Sequence, residues 1–331
     1  MLIKSNEIAR RIKDNEDNLF LLYGEEDYVI GRHIQSIKKK YLDPGFIQMD
    51  SVKLDFGGRG INLDTLIENM ELPSWASKKR IVEVVNFTFD KNCVDKLPDI
   101  LKSIPQGTVL IMVTDKIDKR KKKLYDAFLK NGIVCEINYY TTDELLKMIN
   151  DYFKALKISI SPDVSKSIIS RYNCSMRLIG SALRSLSLYC QAVDASVIDM
   201  DIVEELCIPD INANIFWMMD SVGKGEADKA LVQLDNLIKL KEPLPHIRFM
   251  IGRHFRELIC AKELMNSREL IRRTGIRDFA ADKLISQARR FSMERLLALY
   301  KLTYENDKDL KHGKVDERAS LETFIVLASG K

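Results

Sequence analysis

A short apolar run that stops at a glycine and gives way at once to an amphipathic pattern leaves a chain few options. Leu19–Ile37, LFLLYGEEDYVIGRHIQSI, is such a stretch. It reads as strand, turn and helix, the opening of an α/β nucleotide-binding domain. In a working nucleoside triphosphatase the turn would read G-x-x-x-x-G-K-[ST]: backbone N–H groups cradle phosphates, the lysine reaches the terminal phosphate and the hydroxyl holds magnesium. Here it reads Gly24-Glu25-Glu26-Asp27-Tyr28-Val29-Ile30-Gly31-Arg32-His33. Three carboxylates stand where an anionic ligand would lie and repel it. The expectation is a nucleotide-binding fold that has given up nucleotide and works as an interaction protein, with no catalytic, cofactor or metal residue assigned.

A chain of 331 residues, 46% of them hydrophobic, is long enough for two or three domains with their own cores. Its 52 basic residues against 48 acidic ones leave a net charge of +4, too little to imply nucleic acid, so any basic surface must be local. The first residues, MLIKSNEIARRIKDN, lack the apolar core of a signal peptide, and LFLLY and VLIMV are too short to span a bilayer. These features predict a soluble, cytoplasmic protein with no membrane partner. The six cysteines form no C-x-x-C pair and there are only four histidines, which argues against a metal site and for reduced thiols.

In chain order, Ser5 to Lys13 reads as a short helix with Ser5 as N-cap and Ile8 and Ile12 on one face. Ile30, Ile34 and Ile37 stripe the helix after the first strand, and Asp43-Pro44-Gly45 is a turn. Phe46 to Leu54 is expected to be a second strand, and Phe56-Gly57-Gly58-Arg59-Gly60 a flexible loop lacking the lysine and hydroxyl of a phosphate loop. Thr65 and Glu68 have capping-box spacing for a helix with Leu63, Leu66, Ile67 and Met70 on one face. The strands expected at Lys79–Phe87 and Thr108–Thr114 are nearly all apolar, as parallel strands buried on both faces are, and Gly132–Tyr139 is the fifth. Residues 1–141 are thus expected to form a parallel, doubly wound sheet domain.

Two stretches stand outside this pattern. Leu72-Pro73-Ser74-Trp75-Ala76-Ser77 precedes Lys78-Lys79-Arg80. It is either an exposed apolar knob with a basic rim or a tryptophan folded back into the core. Lys116-Ile117-Asp118-Lys119-Arg120-Lys121-Lys122-Lys123 is either the solvated start of a helix carrying Leu124, Phe128 and Leu129 or a contact to a phosphate backbone. Asp115, with no phosphate-binding lysine, reads as a loop cap.

From Thr142 onward strand patterns are absent. A small helical domain, 142–211, carries stripes at Leu145, Ile149 and Phe153 and at Val164, Ile168 and Ile169. Residues 212–331 form a second helical part with stripes at Ile215, Met218, Met219 and Val222, and at Ala230, Leu231, Leu234 and Leu237. Glu242-Pro243-Leu244-Pro245 is a stiff connector to a helix starting at His246.

An ATPase-like domain without a phosphate loop, then a helical lid, then a helical collar: in that order the parts resemble the delta subunit of the bacterial DNA polymerase III clamp loader. The resemblance covers essentially the whole chain. It is carried by Leu21-Leu22-Tyr23-Gly24-Glu25-Glu26 and Leu72 to Val82 in the first domain, and by Asn214 to Gly225, Arg248 to Glu257 (RFMIGRHFRE), Lys283 to Ser292, Asp309 to Gly313 and Leu321-Glu322 near the end.

The resemblance implies an AAA+-like parallel sheet domain without a functional phosphate loop, a helical lid and an all-α collar. It implies a protein that binds and opens the beta sliding clamp without hydrolysing ATP, a non-catalytic subunit of a DNA polymerase (nucleotidyltransferase) holoenzyme. Its partners would be the clamp, the gamma/tau and delta prime subunits and, within the complex, primer-template DNA. The family inserts an adjacent pair of bulky apolar residues into a clamp pocket, and by position the anchors fall at Leu72 and Trp75, with Pro73 shaping the turn. This chain departs from the pattern in having Ser74 before the aromatic and tryptophan where phenylalanine is usual. Lys119, Arg120 and Lys121 would face DNA, and Ile215, Met219 and the faces around Phe249 and Phe255 would be buried either by packing between collar subunits or in this chain's own core. The rivals are a divergent nucleoside triphosphatase using Gly57-Gly58-Arg59-Gly60 or Lys116, and a helical DNA-binding module.

Overall fold

The apolar run at Leu19 becomes an inner strand of a parallel sheet. The computed structural model describes every residue but 277, 314 and 331, and the side chains of all of these but 6, 278 and 279. The chain divides into two units, Met1–Tyr139 and Tyr140–Lys331.

In the first unit the strands β1 (Leu2–Lys4), β2 (Leu19–Tyr23), β3 (Ser51–Gly60), β4 (Arg80–Thr88), β5 (Thr108–Thr114) and β6 (Ile133–Glu136) lie in the order β1-β6-β2-β5-β4-β3. Every pairing is parallel, with Leu21 of β2 opposite Met112 of β5 on one side and Val134 of β6 on the other. Crossovers between parallel strands need helices, here α1 (Ser5–Asp14), α2 (Asp27–Tyr41), α3 (Ile47–Asp50), α4 (Leu63–Glu71), α5 (Lys91–Ile100) and α6 (Lys122–Asn131). On one face Leu19, Leu21, Val82, Val84, Leu110 and Met112 pack with Leu66, Leu97, Leu124 and Phe128 from α4, α5 and α6. Each such side chain contributes roughly 1.5–3 kcal/mol when taken from water. This cluster, more than any cap, sets the register of the sheet.

Several boundaries differ from the sequence expectation. The sheet has six strands rather than five, because Leu2–Lys4 pairs with β6. Phe46 to Leu54 is not one strand. Ile47–Asp50 coils into α3 and pairing starts at Ser51, since the Asp50 carboxylate is drawn inward to the backbone at Trp75–Ser77. The glycine-rich stretch expected as a loop belongs to β3: pairing with β4 is interrupted between Asp55 and Arg59, where Gly57 and Gly58 take φ values of 57° and 78°, and resumes at Arg59 and Gly60. The cap of α4 is Asn62, whose side chain accepts from the N–H groups of Asp64 and Thr65, not Thr65 with Glu68. Lys4, not Ser5, is the N-cap of α1.

The second unit contains α7 (Thr142–Ala155), α8 (Pro162–Arg171), α9 (Met176–Val193), α10 (Met200–Leu206), α11 (Ile211–Lys224), α12 (Ala227–Lys239), α13 (Leu244–Leu264), α14 (Ser267–Thr274), α15 (Asp278–Ala288), α16 (Met293–Lys311) and α17 (Glu317–Ser329). A two-residue parallel pair, β7 (Ser159–Ile160) with β8 (Val197–Ile198), was not expected from the sequence. Polar caps start these helices: Thr141 and Glu144 form a capping box on α7, Ser161 caps α8 and Asp210 caps α11. Helix α13 begins at Leu244, two residues before His246, because Pro245 fits a first turn that has no N–H to lose.

The core of α11 to α17 takes in Ile215, Met218, Met219, Ile251, Phe255 and Phe324. Of the two readings of these positions, Ile215, Met219 and Phe255 take the chain's own core, whereas Phe249 is 59% exposed. The 3.6-residue period shows which residues share a face but not what covers it.

Candidate functional site

The turn after β2 is closed. The N–H of Gly24 donates to the Thr114 carbonyl at 3.3 Å and that of Glu26 to the Ile137 carbonyl at 3.1 Å. Gly24 has a φ of 137°, and a Cβ there would lie 2.2 Å from the Ile137 carbonyl oxygen, so only glycine fits. Two N–H groups that a phosphate loop would turn toward an anion are therefore occupied by backbone, and the Glu26 side chain is buried beside them. Next to the turn the Tyr23 hydroxyl donates to Glu136 Oε2 at 2.9 Å and Lys119 Nζ approaches the same oxygen at 3.0 Å. Burial pushes the Tyr23 phenol upward, and the neighbouring carboxylate adds to the shift. Among the described residues no cluster of three or more His, Cys, Asp or Glu side chains is arranged to hold a metal ion.

The outlier of the first unit is Trp75, 75% exposed on the link between α4 and β4, with Leu72 50% exposed at its start. Helix α4 ends at Leu72, which is extended ahead of Pro73. The two open readings of this stretch are therefore decided: Trp75 stands out as an exposed aromatic. Exposure of one large apolar residue is ordinary, but here Leu72, Pro73 and Trp75 fall together on one short loop.

That loop is held from beneath. Asp50 is completely buried, and its Oδ1 accepts the Trp75 N–H at 2.5 Å while its Oδ2 accepts those of Ala76 at 3.2 Å and Ser77 at 2.8 Å. Burial drives the Asp50 carboxyl upward, but the Trp75 N–H, the Ser77 hydroxyl and N–H and the Ala76 N–H outweigh it and bring it down to about 2. The Ser77 oxygen in turn accepts the Asp43 N–H at 2.9 Å, and the Ser74 hydroxyl donates to the Ser77 carbonyl at 3.0 Å. Lys78 N–H donates to the Tyr41 carbonyl at 3.0 Å.

The basic rim expected at Lys78-Lys79-Arg80 reduces to Lys78. Arg80 is buried and donates to the carbonyls of Asn69 and Met49, and Lys79 lies over the Tyr41 ring and donates to Asn18 Oδ1. Sequence reading thus missed Asp50, Ser77 and Arg80 as supports of the knob. The one available signal was an aspartate inside the stretch taken for a strand, Phe46 to Leu54, where strands seldom place one.

The basic run is largely partnered. Lys119 pairs with Glu136, Arg120 forks onto both oxygens of Asp118 at 2.9 and 3.1 Å, and Lys121 donates to the Phe89 carbonyl at 2.7 Å. Arg120 still leaves 92% of its side chain exposed. The run precedes α6 as a solvated helix start does, and it is not brought near Trp75 by any hydrogen bond or ion pair among the described residues.

In the second unit Phe249, Leu297 and Tyr304 are 59%, 51% and 69% exposed along a groove between α13 and α16 that also presents Arg253, Arg256 and Lys301. No helix among the described residues is long and apolar enough to cross a membrane.

Comparison with known proteins agrees across the chain. The model of the family described as DNA polymerase III, delta subunit, matches residues 20–138, and that described as DNA polymerase III delta subunit, C-terminal domain, matches residues 212–328. DNA polymerase III subunit delta of Bacillus subtilis (strain 168) is 22% identical over 323 residues, spanning 93% of this chain and 92% of that protein. The solved structure of the Bacillus subtilis DNA clamp loader delta protein covers 99% of this chain and 100% of its own with a TM-score of 0.82 at 20% identity, a likeness of fold.

Proposed function

The chain belongs to the DNA polymerase III delta subunit family, and from that membership we propose that it binds the beta sliding clamp and opens it for loading on primed DNA, without hydrolysing ATP itself. The observation that carries this reading is Trp75, 75% exposed on a loop whose backbone is fixed by a buried carboxylate. An ordered aromatic that water already surrounds loses little on docking and gains the burial of its ring. Such anchors contribute roughly 2–4 kcal/mol each. Leu72 and Trp75 are the apolar anchors, and Pro73 sets the angle between them.

The closed turn at Gly24 supports the non-hydrolytic part of the reading, since the N–H groups of Gly24 and Glu26 are already taken by carbonyls. Residues 1–141 are the clamp-binding domain, 142–211 the lid and 212–331 the collar that joins the gamma/tau and delta prime subunits. The exposed Phe249, Leu297 and Tyr304 make the α13–α16 groove an apolar surface that the collar can offer. Lys119, Arg120 and Lys121 face primer-template DNA in the assembled complex, which works in the cytoplasm as part of the polymerase holoenzyme.

The test is calorimetry of the full chain against the sliding clamp of its own organism, without nucleotide, with Trp75→Ala alongside. Nucleotide-independent binding that the variant loses is the expected result. Equal binding by both would remove Trp75 as anchor, and binding by neither would remove the clamp as partner.

A further inference from the structure

A loop that shows a tryptophan to solvent lacks the usual means of holding its shape, because the side chain that would dock it onto the core points outward. The backbone of Trp75, Ala76 and Ser77 supplies the alternative: three successive N–H groups converge on one carboxylate. These groups belong to no helix and no strand. Left without acceptors they would be met by water and the loop would sample many shapes. An ionised acceptor makes each bond stronger than a neutral one would, and a buried carboxylate without such donors would be costly to keep. The arrangement therefore works in both directions, and it reaches across 25 residues of sequence from α3 to the knob.

We propose that Asp50 is the positioning residue of the docking knob, its carboxylate fixing the Trp75–Ser77 backbone so that Trp75 meets the clamp already ordered. The inference rests on Trp75 being a clamp anchor. Its distinctive content is that a residue with no access to the partner governs affinity through pre-organisation, by removing an ordering cost that a free loop would incur on binding. Ser77 is the second element of the device: its N–H donates to Asp50 Oδ2, its hydroxyl helps to hold the Asp50 carboxyl low and its oxygen accepts from Asp43, so it closes the loop onto the end of α2 as well.

The chain has two tryptophans, Trp75 and Trp217, so Trp217→Phe leaves Trp75 as sole reporter. In that background the anisotropy decay of Trp75 and the clamp affinity of the full chain are measured for the parent, Asp50→Asn and Ser77→Ala, with far-ultraviolet circular dichroism as the check on folding. Asp50→Asn keeps the shape but turns an N–H₂ toward N–H donors. It is expected to speed the local decay of Trp75 and to weaken clamp binding about five- to tenfold with the dichroism unchanged. Ser77→Ala is expected to shift both readouts the same way by about twofold, and it decides the matter if Asp50→Asn does not fold.

An unchanged decay in the folded variants overturns the inference, and so does a faster decay with unchanged affinity. A separate Trp75→Ala measurement isolates the underlying reading. If that variant binds as the parent does, Trp75 is not the anchor and Asp50 has no docking role, whatever the decay shows; if it loses binding, the Asp50 variants alone decide.

Discussion

The guanidinium of Arg80 donates through Nη1 to the carbonyl oxygen of Met49 at 2.9 Å, tying the first residue of β4 to the short helix that ends in Asp50. Through Nε it also reaches the carbonyl of Asn69 in α4, at 3.1 Å. One side chain thus fastens both segments that flank the exposed loop, and it is only 7% exposed while doing so.

Removing that side chain leaves two carbonyls without their donor and a void where the stem lay. Arg80→Ala is expected to destabilise the first unit by about 2–3 kcal/mol, read as a lower urea midpoint with an unchanged slope. Arg80→Lys should recover only part of this, because one ammonium does not reproduce two diverging donors of a planar fork. Wild-type stability in Arg80→Ala would show that water replaces the guanidinium without penalty.

Trp75 separates stability from binding. Because its ring is mostly in water, Trp75→Ala should leave the melting temperature unchanged while weakening the clamp by about 2–4 kcal/mol. Trp75→Phe, which keeps an aromatic anchor, should retain most of the affinity. A melting temperature that falls in Trp75→Ala would mean that the ring stabilises the fold, contrary to its exposure.

The parts that the sequence made legible are those governed by periodicity and by single backbone demands. LFLLY at Leu19, the near-continuous apolar runs at β4 and β5, and the helical stripe of Ile215, Met218, Met219 and Val222 are read from side-chain spacing alone, and the structure buries their apolar residues except Val113. Gly24 was legible as the end of a strand, but its tie to Ile137 was not, since the partner lies 113 residues away. Asp50 was hidden for the same reason. Its role comes from three N–H groups brought together by the fold, and the aspartate in FIQMDSVKL marks an unusual strand residue without showing which donors will bury it. Whether an apolar stripe packs within the chain or against another is also absent from periodicity, and Ile215 and Phe255 went to the chain's own core while Phe249 did not.

His33 in α2 gives a pH signature. Burial, with a smaller effect of Arg32, lowers its imidazole to about 4, and its Nε2 has no hydrogen-bond partner. The unfolded chain, with a histidine near 6.5, therefore binds a proton that the folded chain refuses between about pH 6.5 and 4. Stability is full above this window and falls as the pH drops through it, by up to about 3 kcal/mol. His33→Leu should flatten the dependence measured by denaturant titration across that range. His254, also lowered mainly by burial, is left in place, so the flattening is partial. An identical pH profile in the variant would mean that the folded protein accommodates the charged ring.

The basic run before α6 can be tested through salt, because each phosphate neutralised by a cation contributes roughly −0.9 to the slope of log affinity against log salt on duplex DNA. In the assembled complex, replacing Arg120 and Lys121 by alanine should make that slope shallower by about 1–2. The pairing of Arg120 with Asp118 adds a control of opposite sign. While Asp118 holds the guanidinium, part of its charge is compensated, so Asp118→Asn should release Arg120 and strengthen DNA binding at low salt. A slope that neither change moves would leave Lys119, Arg120 and Lys121 as a solvated helix start whose ion pairs serve the fold alone.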